Sequence, residues 1–128
     1  MGIKIKRNVS YFMIFAEESA ALGANEFEWA YGNGDNTGTS DGVVISIDCY
    51  IHSVGIDVEG GNGTAEVELY VNGVATGKRS GQTSTGTRSF TTFNDNQKIK
   101  AGDFVNFRTV TNGGAASGRA SAMFKVVN

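Results

Sequence analysis

Glu68-Leu-Tyr-Val-Asn-Gly-Val-Ala-Thr-Gly77 is an alternating strand that runs into an Asn-Gly turn, and Lys100-Ala-Gly-Asp-Phe-Val-Asn-Phe-Arg-Thr109 is a Gly-Asp turn that launches a second alternating strand. Asn72 and Gly73 supply the two positive-φ positions of a type I′ turn, whose twist matches that of the strands it joins. Working outward from this hairpin, Thr64–Val71 places Ala65, Val67, Leu69 and Val71 on one face, and Glu66, Glu68 and Tyr70 on a face expected to meet solvent. Val74–Ser80 is its polar partner strand. Asp103–Val110 sends Val105 and Phe107 one way and Phe104 the other.

The same period of two recurs along the chain. Cys49–Val58 is the longest strand, with Val54, Ile56 and Val58 turned to a core. Val43–Ile47, Arg88–Phe93 and Arg119–Val127 read as further strands, the last with Ala120, Ala122, Phe124 and Val126 together. Phe27, Trp29 and Tyr31 alternate as a core face should, which outweighs reading Trp29, Tyr31, Asn33 and Asp35 as a sugar site. Gly/Asn/Ser/Thr-rich loops are expected at Gly32–Gly42, Gly60–Gly63, Gly81–Thr87 and Asn112–Gly118, with a turn at Asn94–Lys98. About eight to nine short strands at this spacing predict an all-β, antiparallel sandwich or barrel.

The 128 residues suit one domain, made of a short basic N-terminal arm, 1–9, and a β-domain over 10–128. Eighteen Gly and no Pro fit tight turns and strands whose N–H groups are all used in ladders. A net charge of −2 gives no global attraction to nucleic acid. One cysteine, Cys49, rules out an internal disulfide and a cysteine zinc site within the chain, so a reducing cytoplasm is the simpler expectation for assembly. Glu17 and Glu18 close the apolar run Val9–Ala16, against a signal peptide, and no run approaches the ~20 apolar residues of a membrane span.

Ser10–Ala16 is apolar on both faces of any strand it forms. A two-sided apolar strand needs cover on each side, and a thin sandwich supplies one core. The second face is then either a protein–protein interface or a surface covered by the chain's own loop.

Sites of chemistry are hard to assemble from this sequence. His52 and Cys49 lie three apart in one strand and therefore point to opposite faces, so they form neither a nucleophile pair nor a shared metal site. Glu66 and Glu68 share a face, but an outward one. Asp35 and Asp41 sit in an oxygen-rich loop that lacks the ligand spacing of an EF-hand. Gly32-Asn-Gly34 and Gly60-Gly-Asn-Gly63 lack the Lys-Ser/Thr of a phosphate loop. Lys78, Arg79 and Arg88 could cluster, but without the aromatic platforms of a single-strand nucleic-acid groove. The expectation is a chain that is not an enzyme, with no cofactor, no metal, no nucleic-acid partner and no membrane partner.

Phe27-Glu-Trp-Ala-Tyr-Gly-Asn-Gly34, Cys49–Val58, Glu68-Leu-Tyr-Val-Asn-Gly73 and Ala101-Gly-Asp-Phe-Val-Asn-Phe-Arg-Thr109 resemble small jelly-roll domains of tailed-bacteriophage virion proteins, which occur as capsid decoration proteins and fibre knobs. The architecture is similar to the trimeric jelly rolls of the tumour necrosis factor and complement globular-head class. The resemblance implies a jelly-roll sandwich, a homotrimer packed about a threefold axis, and residence in the virion after assembly in the host cytoplasm. Candidates for the subunit interface are Tyr11, Phe12, Met13, Ile14, Phe15, Phe104 and Met123. Lys4, Lys6 and Arg7 would contact the major capsid protein or another virion protein. A short arm in place of a repetitive shaft favours a capsid decoration protein that stabilises the assembled shell. The alternative is a receptor- or carbohydrate-binding knob presenting the Gly32–Gly42 and Gly81–Thr87 loops.

Overall fold

The computed structural model describes residues 9–18, 27, 29, 42–94, 97–112 and 114–127. Among them there are ten strands and no helix: β1 (Tyr11–Glu18), β2 (Val43–Val44), β3 (Cys49–Gly61), β4 (Thr64–Val71), β5 (Val74–Arg79), β6 (Thr83–Ser84), β7 (Arg88–Thr92), β8 (Lys98–Ile99), β9 (Phe104–Asn112) and β10 (Ala115–Val126). They form two antiparallel sheets packed as a β-sandwich. The front sheet runs β1-β10-β3-β7, with β8 also on β3; the back sheet runs β2-β9-β4-β5, with β6 also on β4.

The two stretches that decide the fold meet in space. Asn72 (φ 52°) and Gly73 (φ 78°) make the left-handed pair that the β4–β5 turn requires. β4 lies beside β9 with Val71 opposite Val105, which brings the Gly102-Asp103 turn against the hairpin tip. Asn72 Nδ2 donates to Asp103 Oδ1 at 2.9 Å, Asn72 Oδ1 accepts from the Phe104 N–H at 3.0 Å, and Asp103 Oδ2 accepts from the Lys100 N–H at 2.9 Å. One asparagine and one aspartate thus clasp two turns that lie thirty residues apart in the chain.

The chain passes between the sheets at adjoining points. β3 leaves the front sheet after Gly61 and β4 begins the back sheet at Thr64; β9 ends at Asn112 and β10 begins the front sheet at Ala115. Ala115 pairs with Gly61 and Ala65 with Asn112, so the two crossings run side by side. This corrects the loop expected over Asn112–Gly118, most of which continues the ladder. Val43–Ile47 is likewise shorter than expected, a two-residue strand followed by irregular backbone in which Ile45 is buried and Ile47 exposed.

The core is the space between the sheets. Cys49, Ile51, Val54, Ile56 and Val58 of β3 and Ala120, Ala122 and Phe124 of β10 face Ala65, Val67 and Leu69 of β4 and Val105 and Phe107 of β9. Ile51 and Val54 are both inward although three residues apart. A β-bulge between Met123 and Phe124 of β10, opposite Ser53 and Ile51, accommodates His52 as an extra residue in β3 and shifts its phase. Trp29 fills the centre: its indole N–H donates to Thr109 Oγ1 at 3.1 Å and its ring meets Phe107 edge-on at 6.4 Å. Its neighbour Phe27 does not share that face. Phe27 packs edge-on against Tyr70 at 4.9 Å, on the outside of the back sheet.

Candidate interaction face

β1 separates its side chains cleanly. Phe12, Ile14 and Ala16 turn toward the core, with Phe12 stacked on Phe124 at 5.0 Å. Tyr11, Met13, Phe15 and Glu17 turn outward over the front sheet, where Met13 is 52% exposed and Phe15 64%.

The register builds that outer face in rows. Phe15 lies opposite Ser121, Ser121 opposite Gly55, and Gly55 opposite Phe90. Two large aromatics therefore flank a floor of two small residues. Phe90, 74% exposed, forms one wall from the edge strand β7; Phe15 forms the other from β1. A Cβ on Gly55 would come 3.1 Å from Ser121 Oγ and 3.3 Å from the Cβ of Phe90, so the floor is already close-packed. The next row, Met13–Met123–Ser53–Thr92, prolongs the trough. The resulting groove is open, holds about 720 Å³, and falls within the ~300–1,000 Å³ of small-molecule sites.

Each end of the groove is polar. At one end the row Glu17–Arg119–Asp57–Arg88 alternates in sign across four strands. Arg119 pairs with Glu17 and Glu59, both at 3.0 Å, and Arg88 with Asp57 at 3.5 Å. These are exposed pairs, worth about 0–1 kcal/mol each, and their effect is to fix charge positions rather than to stabilise the fold. At the other end Tyr11 meets the bulged His52 edge-on at 5.1 Å.

The outer face of the back sheet is built on opposite lines. Glu66, Glu68 and Tyr70 point outward as the alternation requires, but Glu68 (4% exposed) and Tyr70 are buried, Glu66 is half-buried, and Asn106 is fully buried. Glu68 accepts from Arg79 Nε at 2.9 Å and from the Gly77 N–H at 3.0 Å, while Arg79 Nη1 reaches Glu66 at 3.5 Å. Arg108 Nη1 donates to Tyr70 Oη at 2.8 Å, and its guanidinium stacks over Phe27 and Tyr70 at 5.5 and 5.7 Å. The face expected to be solvated is a covered polar network.

The seven interface candidates do not converge. Tyr11, Met13, Phe15 and Met123 gather on the front face. Phe12 and Ile14 pack against the core, and Phe104, on the strand face opposite Val105 and Phe107, belongs to the back sheet. Lys4, Lys6, Arg7, Asp35 and Asp41 lie outside the described residues. Lys78, Arg79 and Arg88 do not form a cluster of free cations. Arg79 is held by Glu66 and Glu68, Arg88 pairs with Asp57, and Lys78 lies 5.5 Å from the Phe93 ring. Cys49 and His52 occupy opposite faces, one in the core and one on the groove side. Burial, then the charges of Asp48 and Asp103, push the Cys49 thiol up to about 11, so it is neither a nucleophile nor a ligand near neutral pH.

Sequence reasoning missed Phe90, Gly55 and Ser121. A glycine inside a long alternating strand was the available signal, since such a residue marks close approach by a neighbour. Among the described residues no group of three His, Cys, Asp or Glu is placed to hold a metal ion, and no helix is long and apolar enough to cross a membrane. No family model matches this chain, and no curated protein matches it.

Proposed function

We propose that this chain is a structural assembly protein of a tailed-bacteriophage virion: a jelly-roll module that forms a homotrimer and decorates the assembled capsid shell. The observation that carries the assembly half of this reading is the apolar front face, where Met13, Phe15 and Phe90 stand exposed. Burying side chains of this size stabilises an interface by roughly 1.5–3 kcal/mol each. The strand orders support the jelly-roll assignment. Without the two-residue β6 and β8, the first strand lies beside the last in one sheet and the second beside the second-to-last in the other, the nesting that two Greek keys generate. The virion half rests on the resemblance of residues 68–73 and 101–109 to phage domains.

In this role the chain acts by binding linkage rather than by catalysis. A ligand that binds only the assembled shell stabilises it by about 2.7 kcal/mol when its concentration is a hundred times Kd. The engagement of Glu66 and Glu68 by one arginine supports a non-catalytic reading, because both carboxylates already have a structural partner.

Native mass spectrometry of the purified chain tests the assembly half, with a trimer expected and Phe15→Glu expected to give monomers. A wild-type monomer at micromolar concentration refutes it. Co-sedimentation with purified capsids tests the virion half, and deletion of residues 1–8 is expected to abolish binding while leaving the fold intact.

A further inference from the structure

Four Asn-Gly dipeptides occur in this chain: Asn33-Gly34, Asn62-Gly63, Asn72-Gly73 and Asn112-Gly113. Asn-Gly is the dipeptide most open to spontaneous deamidation, because a glycine N–H meets no Cβ as it attacks the neighbouring side chain. The Gly main-chain nitrogen loses its proton to solvent and bonds to the asparagine Cγ, the Cγ–Nδ2 bond breaks, and ammonia leaves. Water then opens the resulting succinimide at one carbonyl or the other, giving aspartate or isoaspartate. Two conditions decide the rate in a folded protein. The side-chain amide must be free to swing onto the main chain, and the local backbone must tolerate the ring.

The structure sets Asn62 and Asn72 apart on the first condition. The Asn72 amide is pinned from both ends: its Nδ2 donates to Asp103 Oδ1 at 2.9 Å and its Oδ1 accepts from the Phe104 N–H at 3.0 Å. Its own N–H donates to the Phe104 carbonyl at 2.8 Å. Ring closure at Asn72 requires both side-chain bonds to break, one of them to a carboxylate. Asn62 sits in the two-residue crossing between β3 and β4 and is exposed. Its amide makes no hydrogen bond among the described residues, and the preceding Gly61 (φ 82°) already gives the backbone a left-handed turn.

We propose that Asn62-Gly63 is a built-in modification site of this protein, converting spontaneously to aspartate or isoaspartate, and that the Asn72–Asp103 clasp guards the chemically identical Asn72-Gly73. The modified residue places a new carboxylate, or an extra backbone methylene, at the corner where both chain crossings lie side by side. That corner joins the two sheets, so isoaspartate there acts on the packing of one sheet on the other and leaves the front groove untouched. The inference is independent of the assembly reading above.

The test is peptide mapping by mass spectrometry of the intact chain held at mildly alkaline pH, with each of the four dipeptides read separately and isoaspartate counted by enzymatic methylation. In the native protein Asn62 is expected to react at least roughly thirtyfold faster than Asn72, the factor corresponding to loss of about 2 kcal/mol of hydrogen bonding at one decade per 1.4 kcal/mol. In denaturant the two rates should converge, which separates a structural guard from a local-sequence effect. Asp103→Ala is expected to raise the rate at Asn72 several-fold while Asn62 is unchanged, with circular dichroism showing the fold retained. Asn62→Ala should remove the early acidic species on ion exchange. Equal native rates at the two sites, protection of Asn62 to the level of Asn72, or a difference that persists in denaturant overturns the proposal.

Discussion

The two outer faces of this sandwich invert the usual reading of strand alternation. The front face, on β1, β10, β3 and β7, carries Met13, Phe15 and Phe90 into solvent. The back face, on β4 and β9, carries Glu66, Glu68, Asn106 and Arg108 and is largely covered, with Phe27 among the residues on it. Period-two patterning decides which side chains travel together on β4 and β9 of the back face, and on the front face it loses phase in β3 at the His52 bulge. It does not decide which of two outward faces receives cover, because that depends on where the rest of the chain is laid. An apolar face left open costs hydration free energy in the monomer, and a polar face that is covered must satisfy every donor and acceptor locally. The back face does this in part: Arg79 serves Glu66 and Glu68 and Arg108 Nη1 serves Tyr70, while the buried Arg108 Nε meets no hydrogen-bond partner among the described residues.

The back face is the more sensitive of the two to substitution. Arg79→Met leaves the buried Glu68 carboxylate with the Gly77 N–H, and because the Arg79 side chain is itself 49% exposed the expected loss is about 1–3 kcal/mol, read from the denaturant midpoint. A shift under about 0.5 kcal/mol would mean that the network is wetter than its burial implies. Next in size is Gly55→Val on the front face. The new side chain meets Ser121 and Phe90 at its first carbon, so overpacking of about 1–2 kcal/mol is expected, together with filling of the groove. Retained assembly in this variant would move the interface off the trough.

A smaller and pH-dependent effect belongs to the clasp at the hairpin tip. The Asn72 amide and then the Lys100 N–H hold the Asp103 carboxyl below its ordinary value of 3.8, and the Ala101 N–H and then Lys98 do the same for Asp48. A depressed carboxylate contributes stability that is fully present above its unfolded value and is lost as pH falls through the folded one. The deficit of Asp103→Ala relative to the parent chain should therefore be constant above about pH 5 and shrink steadily below about pH 4. A deficit that does not change between pH 7 and pH 3 would contradict the charge-based account. Smallest of all for folding is Phe15→Ser combined with Phe90→Ser, expected within about 0.5 kcal/mol in the monomer because both rings are mostly exposed. Loss of self-association with unchanged monomer stability would sharpen the contrast between the faces.

Much of this architecture was legible from local chemistry. β4 was bounded correctly by its alternation and by Asn72-Gly73, and the inward set of β9 followed from Val105 and Phe107. Short strands were not legible, since the two residues of β6 or β8 carry no period. Nor was the phase of β3 readable throughout, because the bulge at His52 is set by register against β10 rather than by any residue within β3. The groove was half-visible. The surplus of apolar residues on β1 indicated that a second face exists, but its other wall, Phe90, comes from a strand dozens of residues away. Only register brings Phe90 onto the same row as Phe15.

β1 and β10 are antiparallel neighbours, with Tyr11 opposite Lys125 and the Val126 N–H bonded to the Ser10 carbonyl at 2.9 Å. The two ends of the described sandwich therefore emerge side by side. Tension applied between them loads the β1–β10 ladder as a zipper, one rung at a time, and not in shear across many rungs together. A module wired in this way resists pulling poorly if it is strung in line between two anchors. Held from one side by both ends, it transmits almost no force through its core, and anything fused to either end is delivered to the same corner of the molecule.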